Sequence, residues 1–355
     1  MNHTNRSKDR NLDEMEPNIK VVDLTKKDFE TSQDVRWCPG CGDYSVLKQV
    51  QLVLPKLGIP RENFAFISGI GCSSRFPYYM ETYGMHGIHG RAPAIATGLK
   101  LSRQDLSVWV VTGDGDALAI GGNHFIHTIR RNVDLNIILL NNRIYGLTKG
   151  QTSPTTQLGE RTKTSPVGSV DRPIGPLALA LSVGATFAAR AVDTDQKNVV
   201  SILERAAAHK GTSLVEIYQN CPIFNDMAFD SVSNKKTRDD NRVMLEHGKP
   251  MVFGKEMDKG IRMNGLEMEV VSLTEGQYTE ADLIVHDEKA EQTGMAFFLT
   301  QMKAPGFPTP MGIFRDVQES SYGERVISNE EKVMSQKGKG DWNRLAHSAD
   351  HWVVE

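Results

Sequence analysis

Four cysteines are the first residues in this chain that need a chemical explanation. Cys38-Pro39-Gly40-Cys41 is a C-x-x-C turn, and Cys72 and Cys221 stand far downstream. Proline and glycine make the turn a tight knuckle whose N–H groups can face bound sulfur. Three other uses stay open: small buried hydrophobes, a zinc-ribbon knuckle, or a thioredoxin-like redox pair. A zinc ribbon normally carries a second C-x-x-C, which this chain lacks, and a redox pair would leave Cys72 and Cys221 without a role. The other chemical cluster is Gly113-Asp114-Gly115-Asp116, with Asn141-Asn142 further on. An Asp and an Asn at neighbouring strand ends can face one hard cation, and magnesium shares its octahedral shell readily with phosphates. Asp114, the side-chain oxygen of Asn142 and one backbone carbonyl would supply half of that shell, and diphosphate oxygens and a water the rest. Alone, Gly-Asp-Gly is as easily a turn.

These residues must be positioned by regular elements. The chain has 355 residues, 39% of them hydrophobic, enough for a large α/β domain with additions. Its net charge is −3, with no basic stripe, so nucleic-acid binding has no electrostatic support. The longest apolar runs fall far short of a membrane span, and the polar N-terminus does not read as a secretory signal. A cytoplasmic location is expected, where structural disulfides are rare. Residues 1–35 read as a polar arm. Leu47, Val50, Leu54 and Leu57 recur at helical spacing, with Asp43 as N-cap and Gly58 as stop. Strands are expected at 64–68, 107–112 and 135–140, with helices at 93–101 and from Asp116 to about Arg130. Residues 146–176 lack periodicity, and a loop that long inside a domain is usually functional. The segments 176–182, 186–190, 195–209 and 213–218 read helix, strand, helix, strand. This alternation predicts a doubly wound, mainly parallel sheet over 36–225. Residues 226–355 are more polar and read as a C-terminal domain or extension, with 270–273 and 295–299 its clearest elements. Ligands of such sheets bind outside the carboxyl ends of the strands. The predicted strand ends place Cys72, Cys221, Asp114 and Asn142 on that one rim. Converging there, four thiolates would suit a [4Fe–4S] cluster, although spacing alone leaves zinc open.

Gly-Asp-Gly closing one strand and an Asn pair closing the next resembles the motif of thiamine-diphosphate enzymes. On that resemblance the magnesium ligands are Asp114, Asn142 and the carbonyl of Ile144. Together with Trp37–Gly42, Ile70-Gly71-Cys72-Ser73, Gly87-Ile88-His89-Gly90-Arg91 and the run from Asn142 to Gln151, it resembles the β subunit of 2-oxoacid:ferredoxin oxidoreductases, most nearly the 2-oxoglutarate type, over about residues 36–230. The resemblance implies a diphosphate-binding module in which Cys38, Cys41, Cys72 and Cys221 hold one [4Fe–4S] cluster. It implies that Ile70, Gly71, Cys72, Ser73, His89, Gly115, Asp116, Gly146 and Leu147 contact thiamine diphosphate, with His89 catalytic and Lys149 on the coenzyme A side. The implied reaction is CoA-dependent oxidative decarboxylation of 2-oxoglutarate to succinyl-CoA and CO₂, with electrons passing to ferredoxin, reversible in principle. It further implies an α subunit carrying the pyrimidine-binding half and the activating glutamate. Arg91, Arg143 and Arg161 are candidates for an anionic substrate. Pyruvate or another 2-oxoacid, a non-redox thiamine-diphosphate decarboxylase or synthase with structural cysteines, and a zinc-stabilised binding subunit remain alternatives at this point.

Overall fold

The structure is a computed structural model and describes residues 23–348 and Trp352. Its centre is an eight-stranded sheet. In chain order the strands are β1 (Phe64–Ser68), β2 (Tyr83–His86), β3 (Ser107–Gly113), β4 (Leu135–Asn141), β5 (Phe187–Val192), β6 (Thr212–Tyr218), β7 (Arg242–Leu245) and β8 (Thr309–Asp316). Across the sheet they run β2-β1-β3-β4-β6-β5-β8-β7. The first six are mutually parallel, and β8 joins β5 antiparallel with β7 parallel to β8. Residues 226–355 thus add strands to this sheet, along with a small antiparallel sheet of Val252–Phe253, Lys259–Asn264 and Glu267–Ser272.

Parallel strands covered on both faces should be apolar on both, and the alternation here is strict. Val108, Val110, Leu135, Ile137, Leu139 and Leu214 enter one core, packed by helices α2 (Ala92–Ser102), α4 (Gly122–Arg131) and α5 (Pro176–Ser182). Trp109, Val111, Ile138, Leu140, Val215 and Ile217 enter the other, packed by α1 (Asp43–Val53) and α6 (Gln196–Ala208). The expected doubly wound α/β class is the observed one. Trp109 is fully buried and stacks on Phe66 with centroids 5.9 Å apart.

Three local expectations need correction. Asp43 is not an N-cap. Gly42 occupies that position, and the Asp43 side chain is buried inside the first helical turn. The helix expected after Asp116 begins earlier, as α3 (Asp114–Leu118), and breaks at 119–121 before α4. The break admits the His89-Gly90 loop: a Cβ on Gly121 would lie 2.4 Å from the Asp116 carbonyl and 3.0 Å from Gly90 Cα. Finally, the polar arm ends sooner than residue 35. The turn Lys26–Phe29 inserts Phe29, fully buried, edge-on to Phe64 at 5.7 Å between centroids. Residues 1–22 of the expected arm lie outside the described residues.

Phe29→Ala therefore removes a core aromatic, not an arm residue, and should destabilise the chain by about 3–5 kcal/mol. Urea titration followed by circular dichroism checks this, and an unchanged midpoint would return Phe29 to the arm.

Candidate active site

The carboxyl ends of β1, β3 and β4 open into one pocket lined by Ile70, Gly71, Cys72, Ser73, His89, Asp114, Gly115, Asp116, Asn142, Ile144, Gly146 and Leu147, among others. Every residue expected to touch a diphosphate cofactor or its metal is in that lining. Lys149 is not. It sits exposed on the neighbouring turn with a left-handed backbone, φ +83°. Arg91 lies against His124, Arg161 is exposed, and Arg143 points into a different cavity.

Asp116 holds the pocket together. Its Oδ1 accepts from the Ile70 N–H (3.0 Å), the Gly90 N–H (2.8 Å) and His89 Nδ1 (2.6 Å), and its Oδ2 accepts from Thr112 Oγ1 (2.8 Å). Since an ionised carboxylate can only accept, His89 donates from Nδ1, and in the neutral ring Nε2 would then be the acceptor. Only glycine fits at 69, where a Cβ would stand 2.0 Å from Asp116 Oδ2.

Asp114 is fully buried, and its Oδ2 accepts from Ser153 Oγ and Thr155 Oγ1, each at 2.5 Å. These hydroxyls come from the aperiodic 146–176 segment. Burial nevertheless pushes the Asp114 carboxyl up to about 6. Asn142 Oδ1 accepts from the Ile144 N–H at 3.1 Å, closing a turn in which Arg143 is left-handed, φ +58°. The Tyr145 hydroxyl donates to the Gly115 carbonyl at 3.0 Å, and its ring lies where a Gly115 Cβ would be. Among the described residues the pocket is lined by three carboxylates, Asp43, Asp114 and Asp116, and by no lysine or arginine.

The cysteines gather on one side of this pocket. The Cys41 N–H donates to the Cys38 carbonyl at 3.0 Å, and the knuckle is held by Gly42 N–H to the Asn220 carbonyl (3.1 Å) and Gln219 Nε2 to Cys41 Sγ (3.2 Å). The Trp37 indole donates to the Cys72 carbonyl at 2.7 Å. A Cβ on Gly146 would be 3.5 Å from Cys221 Sγ and 3.6 Å from Cys72 Sγ, so these sulfurs flank one glycine. Burial is the main force pushing the thiols of Cys41 and Cys72 up, Cys72 to about 12, with Asp43 and the other cysteines adding to it. All four cysteines are free. No group of three or more His, Cys, Asp or Glu side chains among the described residues is arranged around a single metal ion. The expected cluster set Cys38, Cys41, Cys72 and Cys221 is thus not gathered around one metal position, and the expected magnesium set, with a single carboxylate, is not a group of that kind.

Residues 69–217 match the family described as thiamine pyrophosphate enzyme, C-terminal TPP binding domain. The chain is 49% identical over 332 residues to the 2-oxoglutarate oxidoreductase subunit KorB of Mycobacterium tuberculosis, covering 93% of this chain and 88% of that protein. It belongs to the β subunits of 2-oxoacid:ferredoxin oxidoreductases. A β subunit from Saccharolobus solfataricus is 45% identical over a shorter span, 54% of this chain and 63% of its own length. Among solved structures, the 2-oxoglutarate:ferredoxin oxidoreductase from Magnetococcus marinus with 2-oxoglutarate, coenzyme A and succinyl-CoA bound superposes with a TM-score of 0.74 at 32% identity. That match covers 94% of this chain and 98% of the other. In this β subunit the matched span begins directly after β1 and takes in β2–β5, β6 as far as Ile217, and every pocket-lining residue except Asp43 and Gln219.

Sequence reasoning missed Asp43, Ser153, Thr155 and Gln219. Asp43 had a visible signal, its place directly after C-x-x-C-G. Ser153 and Thr155 had only the hydroxyl richness of their segment. Burial pushes Asp43 up to about 7, its neighbour Asp193 adding to it, and one of its oxygens has no partner. Both Asp43 and Asp114 are raised, so each contributes stability that is fully present below the ordinary carboxylate range and is lost as pH rises through about 6 to 7. The metal-free chain should thus lose thermal stability from about pH 5 to pH 8, and Asp43→Asn should lose less. Superimposable melting-temperature profiles would remove Asp43 from this account.

Proposed function

We propose that this chain is the cofactor-binding subunit of a CoA-dependent 2-oxoglutarate:ferredoxin oxidoreductase, holding thiamine diphosphate with magnesium and one [4Fe–4S] cluster. The observation that carries the cofactor reading is electrostatic. A pocket with three carboxylates and no lysine or arginine disfavours a diphosphate by itself and favours one that enters with a divalent cation. Asp114, the Asn142 side-chain oxygen and the Ile144 carbonyl are the donors for that cation. The bound diphosphate would lie against Ile70, Gly71, Cys72, Ser73, Gly115, Asp116, Gly146 and Leu147. The similar chain from Magnetococcus marinus supports the substrate and coenzyme A.

Cys38, Cys41, Cys72 and Cys221 are the donors for the cluster. Burial and neighbouring negative charge disfavour free thiolates at Cys41 and Cys72, and a cationic metal centre would offset that charge. Bound together, the two groups supply the carbon nucleophile for 2-oxoacid decarboxylation and a one-electron path out. The protein's own part is orientation and proton handling. Asp116 binds Nδ1 of His89, which would leave Nε2 to handle a proton at the bound cofactor. Lys149, exposed on a turn with a left-handed backbone, would meet a phosphate of coenzyme A.

The pocket is open on one side, and no glutamate lines it among the described residues. Ile88 (69% exposed), Ile120 (57%) and Leu147 (47%) lie in or next to its loops. An α subunit supplying the pyrimidine-binding half and the activating glutamate would cover these apolar residues.

Purified anaerobically with its partner, the complex should contain about four irons per β subunit and reduce a viologen dye with 2-oxoglutarate only when coenzyme A is present. Zinc in place of iron, or equal rates on pyruvate, would overturn the corresponding part of the proposal. Cys221→Ser should remove the broad visible absorption while leaving the fold intact by circular dichroism. His89→Gln should lower kcat about a hundredfold without weakening thiamine diphosphate binding. A loss confined to cofactor affinity would make His89 a binding residue only.

A further inference from the structure

The carboxyl rim carries a second cavity, of about 280 Å³, over the ends of β4, β5 and β6. Four charged side chains line it: Arg143, Arg190, Lys303 and Glu216. Arg190 Nε donates to Glu216 Oε2 at 2.8 Å with both residues buried, so that pair is neutral in itself. Among the described residues Arg143 has no carboxylate partner. Its guanidinium lies 4.3 Å from the centroid of the Phe229 ring and donates to the Ala228 carbonyl at 3.3 Å. Lys303, exposed at the edge, pairs with no carboxylate among the described residues. Two uncompensated cations therefore face a concave space whose only lining carboxylate is already neutralised. The volume lies at the lower edge of the roughly 300–1,000 Å³ of drug-sized pockets, which suits a compact ligand.

We propose that this cavity binds a compact dianion, a dicarboxylate or a phosphate, and that its occupancy is coupled to cofactor binding in the neighbouring pocket. The binding rests on the cavity alone. The coupling rests also on Asp114, Asn142 and Ile144 being the metal donors proposed above. Two routes join the sites. Arg143 is the residue between Asn142 and Ile144, and its left-handed backbone is held by its N–H to Asn141 Oδ1 (3.2 Å) and by Thr156 Oγ1 to its carbonyl (2.7 Å). A dianion that draws the Arg143 guanidinium acts on the turn that presents the metal donors. The second route is a buried hydrogen-bond chain. Asn141 Nδ2 donates to Glu216 Oε1 at 2.8 Å, and Thr155 Oγ1 lies 3.0 Å from Asn141 Oδ1 and 2.5 Å from Asp114 Oδ2. Thr155 has one proton for those two acceptors, so a change at Glu216 or Asn141 alters what Asp114 receives.

Calorimetric titration of succinate, and separately of phosphate, into the full chain tests the site, with chloride at matched ionic strength as the control. Saturable binding with a Kd of about 1 mM or tighter is expected for at least one of them. Lys303→Gln, remote from the cofactor pocket, should weaken it about tenfold. Binding by succinate alone identifies a dicarboxylate as the ligand, and by phosphate alone a phosphate. No saturable heat, an equal effect of chloride, or an unchanged Kd in Lys303→Gln would overturn the site. Thiamine diphosphate with magnesium is then titrated with and without the dianion. A change of threefold or more in its Kd, matched by the reciprocal change in dianion affinity, is expected. Independent binding of the two would overturn the coupling while leaving the site. Failure of thiamine diphosphate to bind at all would count against the cofactor reading instead.

Discussion

The carboxylate of Asp116 accepts from two backbone amides, a histidine and a threonine, and these donors come from three different loops or strand ends. Ile70 follows β1, His89 and Gly90 precede α2, and Thr112 closes β3. Each of those amides would otherwise be a buried donor without an acceptor, at a penalty of about 1–3 kcal/mol apiece. One short helix, α3, therefore fixes the floor and two walls of the pocket. Both glycines at this junction follow from the same constraint. Residue 69 has no room beside the carboxylate, and residue 90 has no room beside the backbone of 120–121. The carboxyl rim is thus organised by an anion that is itself saturated and has little capacity left for a ligand.

Asp114 is the complement of Asp116. It is two residues away, also buried, and its Oδ2 faces the hydroxyls of Ser153 and Thr155, the second shared with Asn141. Ionising it there is unfavourable, and its raised pKa records that cost. The same helix thus carries one carboxylate whose charge is spent on structure and one whose charge lacks a counter-ion. Asp43 repeats the second condition beside the cysteines. The fold leaves uncompensated acid where cationic groups are proposed to enter, and it keeps lysine and arginine out of that lining.

Much of this was legible in the sequence because parallel strands buried on both faces read as unbroken apolar runs. The expected strands at 64–68, 107–112, 135–140 and 213–218 match the observed ones to within a residue at each end. Once the strand ends were located, Asp114, Asn142, Cys72 and Cys221 followed from the rule that ligands meet the carboxyl rim. What stayed illegible depended on contacts between distant segments. Asp43 has the residue type and position of an N-cap, and only the approach of Asp193 and Gln219 to Gly42 shows that it points inward. β8 was missed for a different reason: Pro310 and Gly312 interrupt its pattern, and a register shift between Ile313 and Arg315 spoils its alternation. Arg143 could be singled out by charge, but no local signal separates the cofactor pocket from the cavity behind it.

The cysteine knuckle shows how these long-range contacts bear on the chemistry. Residues 36–42 precede the first helix and have no regular partner of their own. They are pinned by the loop after β6, through Gly42 to Asn220 and Gln219 to Cys41, and by the loop after β1, through Trp37 to Cys72. Trp37 is itself clamped edge-on by Tyr44 and Tyr79. The four sulfurs are thus supplied by three loops whose spacing is set by the order β1-β3-β4-β6 in the sheet. Burial holds at least two of the thiols in their protonated form, so a metal centre assembling there must displace protons into a site with few acceptors. Asp43, two residues from Cys41 in the chain, lines the cofactor pocket and has one unpartnered oxygen, which puts it between the two proposed centres. Any charge arriving at one centre is felt at the other through a low-dielectric gap that this carboxylate occupies.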